Sequence, residues 1–243
     1  MREIHAPLGI IWKRALRGMD TMNGHAYRIK LCWGLESGQC PNLVDQAEGL
    51  KDHVQSVLDR SGWPQCLAER LQRKVKPLDQ FSVSVSGCPN GCSRPQIADF
   101  GLLMAERPRV DVDVCTGCGA CAQVCREGAV RILGEKACID TETCLSCGAC
   151  ARSCPEQALS PEQQGFRVQV GGKLGRHPQL ARELAGIRGA GEMLGILNAC
   201  LGLHQEHYRP GVRFGQVMRE QGMASIEGGA YEMSGTRQQE LEG

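Results

Sequence analysis

Nine of the fifteen cysteines in this 243-residue chain fall between positions 115 and 154, eight of them in two copies of one spacing. Cys115-Thr-Gly-Cys118-Gly-Ala-Cys121-Ala-Gln-Val-Cys125 and Cys144-Leu-Ser-Cys147-Gly-Ala-Cys150-Ala-Arg-Ser-Cys154 both read C-x2-C-x2-C-x3-C. Thiolates two residues apart curl around three corners of an iron–sulfur cube, and the fourth, a helical turn further on, reaches the cube held by the other run. Cys115, Cys118, Cys121 and Cys154 are therefore assigned to one [4Fe–4S] cluster, and Cys144, Cys147, Cys150 and Cys125 to a second. Gly117, Gly119 and Gly148 let the backbone bend tightly enough to turn amide N–H groups toward the sulfurs, which favours the more negative, reduced cluster. Pro155 closes the second run in the usual way, whereas Arg126 replaces the proline usual after the first and bears on the local potential. Structural zinc sites also use paired C-x2-C elements, but seldom with a third cysteine at the same interval, so iron–sulfur is the reading adopted.

Upstream, Phe81-Ser-Val-Ser-Val85 alternates as a half-buried strand does and runs into Ser86-Gly-Cys88-Pro-Asn-Gly-Cys92, placing two more thiolates in a tight loop at a strand end. A second strand-like run, Asp99-Phe-Gly-Leu-Leu-Met104, follows. From Ser86 to Leu102 the stretch resembles the signature of sirohaem-containing sulfite and nitrite reductases, a C-x3-C pair after Ser/Thr-Gly and before an acidic-apolar-small-apolar tetrad. The strand-like Phe166–Val170, the glycine turn Gly171-Gly-Lys-Leu-Gly-Arg-His-Pro178 and the stretch Gly211–Met218 extend the likeness over about residues 26–226. The cysteine repeat interrupts it, much as an inserted ferredoxin interrupts dissimilatory and anaerobic sulfite reductase subunits.

The resemblance implies a third [4Fe–4S] cluster held by Cys32, Cys40, Cys88 and Cys92, with Cys92 also bridging to the iron of sirohaem. It further implies six-electron reduction of a small oxyanion, sulfite or nitrite, fed through the internal ferredoxin. The first pair departs from the pattern, since seven residues separate Cys32 from Cys40 where five are usual; Gly34 and Gly38 give room for a wider loop, and Cys66 is the substitute candidate. Arg94, Lys173 and Arg176, beside the cluster loop and the glycine turn, are candidate contacts to the sirohaem carboxylates and candidate catalytic cations. The lobe that precedes the first cysteine pair in this family is not matched, and Lys13, Arg14, Arg17, Arg28 and Lys30 read as ordinary surface charges. A pocket completed by a partner protein, a chain with clusters but no haem, and a reduced catalytic site all remain open. The rival functions are a non-catalytic electron carrier and a redox-sensing scaffold.

These sites need a scaffold. The pattern predicts an α+β fold, a mixed sheet packed by helices with a small inserted ferredoxin-like unit. The expected division is 1–108 for an N-terminal arm and the first part of the reductase-like domain, 109–160 for the insertion, 161–226 for the second part and 227–243 for a flexible tail. Helices are expected from about Asn42 to Asp59, after Pro178 with Leu180, Leu184 and Ile187 on one face, and around Met193, Leu194, Leu197 and Leu201. Cys138 and Cys200 read as buried small hydrophobes, and the histidines, including His177, His204 and His207, as surface residues. With 28 basic and 27 acidic side chains no global field calls for nucleic acid. The apolar run Leu8–Trp12 is too short for a membrane span or signal core, so a cytoplasmic, cysteine-reduced protein is expected. An electron-donor protein or a partner redox subunit is expected with it, and homo- or hetero-oligomerisation is open.

Overall fold

The computed structural model describes residues 25–227 apart from residue 46; the cations Lys13, Arg14 and Arg17 and the tail from 228 lie outside them. In chain order the elements are β1 (Tyr27–Leu31), α1 (Trp33–Ser37), α2 (Leu50–Arg60), α3 (Trp63–Arg70), β2 (Phe81–Ser86), β3 (Phe100–Val110), α4 (Ala120–Val124), β4 (Val130–Leu133), β5 (Lys136–Ile139), α5 (Ala149–Arg152), β6 (Leu159–Val170), β7 (Arg182–Glu183), α6 (Ala190–His207), α7 (Phe214–Gln221) and α8 (Ala224–Glu227). A five-stranded sheet in the order β1-β2-β3-β6-β7 is parallel across its first three strands and antiparallel thereafter. The fold is thus the expected α+β, a mixed sheet with packing helices.

The alternation in β2 explains the layering. Phe81, Val83 and Val85 join the core with Val54, Leu58, Trp63, Leu197, Leu201 and Phe214 from the helices. Ser82, Ser84 and Ser86 are equally buried, which is tolerable only because their hydroxyls are engaged. Ser82 bonds Asp99, Ser84 Oγ donates to the Ser93 carbonyl at 2.9 Å, and Ser86 Oγ lies 2.7 Å from Ser93 Oγ. The polar face of a central strand therefore clamps the loop that carries Cys88 and Cys92.

β3 and β6 pair along their whole length, from Phe100 opposite Val170 to Val110 opposite Leu159, with an irregularity at Arg107/Pro108. Residues 111–158 hang from the end of this ribbon around the β4–β5 hairpin. Their buried cluster contains Cys115, Cys121 and Cys150 with Val130, Ala137, Ala158 and Leu159, a core too slight to hold such a segment together by apolar burial alone.

Four sequence expectations are corrected. The helix expected from Asn42 begins at Leu50: Gly49 caps it in the left-handed region, Ala47 is also left-handed at φ 50°, and the segment ahead turns back on the strand end, where Val44 N–H donates to the Gly87 carbonyl. No helix follows Pro178; Leu180 is exposed, and the segment runs extended along β6, with Leu184 N–H donating to the Val168 carbonyl and Arg188 N–H to that of Phe166. Strand pairing to an open sheet edge has overridden helical spacing there. Cys138 is exposed on the two-stranded β4–β5 hairpin, which has no second layer over that face. His204, by contrast, is buried, while Cys200 is packed as expected.

Candidate iron–sulfur and haem-binding site

Parallel pairing of β1 with β2 brings Cys32 to the first thiol loop. The Cys32 N–H donates to the Val85 carbonyl at 2.9 Å, extending the ladder by one residue, and the Gly87 N–H points at Cys32 Sγ at 3.3 Å. The long gap to Cys40 is taken up by α1, a short helical segment ended by Gly38 at φ 68° rather than by an open loop. Gly34 is required inside it, because a Cβ there would stand 2.7 Å from Cys40 Cβ. Burial raises the Cys88 thiol above its ordinary value; the Asn90 N–H opposes this, and Cys92, Cys40 and Cys32 reinforce it. The four thiols of this set thus feel one another. Cys32 and Cys88 are buried, Cys40 half-buried and Cys92 exposed. Cys66 is elsewhere, on α3 with Arg70 and Glu69 as its electrostatic neighbours.

In residues 111–158 each run's last cysteine sits with the other run. Cys115, Cys118, Cys121 and Cys154 line one recess. The Ala137 N–H approaches Cys115 Sγ at 3.4 Å, and with the Gly117 amide it holds this thiol below the ordinary value. The Ala158 N–H approaches Cys154 Sγ at 3.3 Å. Cys125, Cys144, Cys147 and Cys150 line a different cavity of about 240 Å³. Burial pushes the Cys150 thiol up to about 11, with Cys144 and Cys147 adding to the effect; a cation bound there reverses that cost, since coordination requires the thiolate. Gly119 and Gly148 are left-handed at φ 83° and 68°, opening α4 and α5 directly onto the sulfurs. Among the described residues no three Cys, His, Asp or Glu side chains converge on a point as the ligands of one bare ion do.

On the serine face of the sheet lies a cationic trough. Arg28 and Lys30 enter it from β1, Ser82 and Ser84 from β2, and Ser93 and Arg94 from the loop directly after Cys92. Arg213 and the exposed Leu174 close it. Arg94 holds φ 65° although it is not glycine, a left-handed conformation fixed where the loop turns toward the trough. Asp99 anchors one side, accepting from Ser82 N–H at 2.9 Å, Ser82 Oγ at 2.6 Å and Arg213 Nη2 at 2.8 Å. Lys173 is buried, and burial followed by the nearby Arg219 and Arg213 lowers its pKa. Arg176 is exposed in the glycine turn. Of the three cations named from sequence, Arg94 lines the trough and the other two do not. Arg28 and Lys30, which read from the sequence as ordinary surface charges, line the trough, and so does Arg213, which no motif singles out; the signal for the first two is the alternation Tyr27-Arg-Ile-Lys-Leu31, a strand with both cations on one face.

Residues 51–230 match the profile of the nitrite and sulphite reductase 4Fe-4S domain. The chain belongs to this family. A coenzyme F420-dependent sulfite reductase of Methanocaldococcus jannaschii is 43% identical over 137 residues, 56% of this chain and 21% of that protein. One of the subunits of the anaerobic sulfite reductase of Salmonella typhimurium is 37% identical over 68 residues, 28% of this chain and 20% of that protein. The chain thus spans about a fifth of the length of these curated relatives. The crystal structure of dissimilatory sulfite reductase I superposes with a TM-score of 0.55 over 82% of this chain and 50% of that one at 16% identity, so the two share a fold. Among the described residues no helix is long and apolar enough to cross a membrane.

Proposed function

We propose that this chain is the sirohaem- and iron–sulfur-binding part of a sulfite or nitrite reductase, with its electron feed built in. The observation that carries the reading is Cys92: it is the exposed member of a set whose other thiols are buried or half-buried, and the residues after it, Ser93 and Arg94, line the cationic trough.

The donor sets fit the groups. Twelve thiols fall into three sets of four: Cys32, Cys40, Cys88 and Cys92; Cys115, Cys118, Cys121 and Cys154; and Cys144, Cys147, Cys150 and Cys125. Backbone amides aimed at sulfurs in each are what a [4Fe–4S] cluster needs to carry added negative charge. A macrocycle rimmed by carboxylates needs cations around an apolar floor, which Arg28, Lys30, Arg94 and Leu174 provide. Bound in the trough, sirohaem would supply a redox-active iron for the anion. The chain's own part is then to hold that anion by charge, to present Cys92 at the rim, and to keep water from the thiols by burying Cys32 and Cys88.

The test is anaerobic purification with reconstitution by sirohaem. Tetrapyrrole absorbance and sulfite-dependent oxidation of a reduced viologen are expected, both depressed in Arg94→Ala. Iron at about twelve atoms per chain without tetrapyrrole uptake makes the chain an electron carrier instead.

A further inference from the structure

The cavity that holds Cys125, Cys144, Cys147 and Cys150 has a second wall made by Cys88, Pro89 and Asn90 of the sheet loop. The recess of Cys115, Cys118, Cys121 and Cys154 is bounded only by residues 115–159. The two sets in the cysteine-rich segment are therefore not equivalent: one abuts the reductase-like core and the other does not. Resting on the reading proposed above, we propose that the Cys125/Cys144/Cys147/Cys150 set is the inner site, passing electrons directly to the Cys32/Cys40/Cys88/Cys92 set across the Cys88-Pro89-Asn90 loop, while the Cys115/Cys118/Cys121/Cys154 set is the outer, receiving site.

Three observations converge on this order. Asn90 touches two thiols of the Cys88 set, donating from Nδ2 to Cys92 Sγ at 3.0 Å and from its backbone amide to the Cys88 thiol, while it also faces the inner cavity. The inner thiol loop is tied to the sheet, with Glu106 N–H donating to the Ser146 carbonyl at 2.7 Å and the Glu106 backbone paired in a single parallel β-bridge with that of Cys147. Cys118 of the outer set is exposed, as are the apolar side chains of Val112 and Val114 shortly before it in the chain and of Leu133 on β4. Electron transfer between such sites falls steeply with separation, so the set that shares a wall with Cys88 is the direct donor. In the step the inner site gives up one electron and is oxidised, the site at Cys88 gains that electron and is reduced, and no bond is made or broken. The electron enters at the outer site from a one-electron donor of low potential.

The order is tested on the full chain, chemically reduced and examined by electron paramagnetic resonance. Cys147→Ser and Cys118→Ser each replace one thiolate by a harder alkoxide, which keeps a ligand in place but leaves that site oxidised and diamagnetic when the others are reduced. The microwave power needed to half-saturate the signal of the Cys88 site is expected to fall several-fold in Cys147→Ser and to stay unchanged in Cys118→Ser. A fall in Cys118→Ser with none in Cys147→Ser overturns the order, as does an equal response in both. Should either variant fail to assemble, relaxation is followed in the unaltered chain through stepwise reduction, together with Asn90→Leu. That variant is expected to shift the signal of the Cys88 site and of the inner site and to leave the outer site's signal as it was; a change confined to the Cys88 site contradicts the shared wall. A chain that holds no cluster at Cys32, Cys40, Cys88 and Cys92 shows two signals at the outset, which refutes the functional reading rather than the order.

Discussion

His204 is a titratable ring set in an apolar, aromatic core. It is packed against Trp63, Phe81, Tyr208 and Phe214, with ring centroids 4.5–5.9 Å away, and its Nδ1 is buried without a hydrogen-bond partner among the described residues. Burial lowers its pKa to about 4, against a smaller opposing pull from Asp99. The unfolded chain takes up the proton near the ordinary value of about 6.5 and the folded chain does not, so stability falls as pH drops through that window and levels off once both forms are protonated. The loss is expected to approach about 3 kcal/mol. Denaturant midpoints at pH 7 and pH 5 should separate for the native chain and draw together for His204→Leu. Gly117 is critical for a different reason. At φ 70° its missing Cβ would lie 2.3 Å from the Glu135 carbonyl oxygen of the hairpin, and its amide helps to hold the Cys115 thiol low. Gly117→Ala should cost about 1–3 kcal/mol and strip iron selectively from the Cys115 set, read as a drop of about four iron atoms per chain.

At the scale of elements, Asp99 is the tie between β2, the start of β3 and the approach to α7. Its carboxylate accepts from Ser82 twice and from Arg213, whose side chain is only 18% exposed. Removing it leaves Arg213 and the Ser82 hydroxyl without that partner, and Asp99→Ala is expected to destabilise by about 2–4 kcal/mol in denaturant titration. This is also the scale at which the sequence is most unevenly legible. β2 and the segment around Leu197 are readable because their alternation and helical repeat are local properties of the chain. The eight-cysteine spacing is readable for the same reason, ligand geometry around one small cube. The extended path of Leu184 and Ile187 is not, because an apolar spacing that fits a helix face also fits a strand edge once β6 offers unpaired carbonyls. The absorption of the long Cys32–Cys40 gap into α1, and the turning of Arg28 and Lys30 into a trough, depend on β1 pairing with a strand some fifty residues later. No local pattern encodes that partner.

For the molecule as a whole, the sheet and the cysteine-rich segment divide the labour. The sheet has a large apolar core and sets the trough and the first thiol set by strand pairing. The segment at 111–158 buries cysteines where other small folds bury leucines, so its stability and its electron traffic depend on the same bound groups. All of this presumes twelve thiolates arranged for three cubes. Iron and acid-labile sulfide, quantified per chain in protein purified without oxygen, measure that directly. About twelve of each are expected; about eight leaves Cys32, Cys40, Cys88 and Cys92 without a cluster, and zinc in place of iron contradicts three iron–sulfur cubes outright.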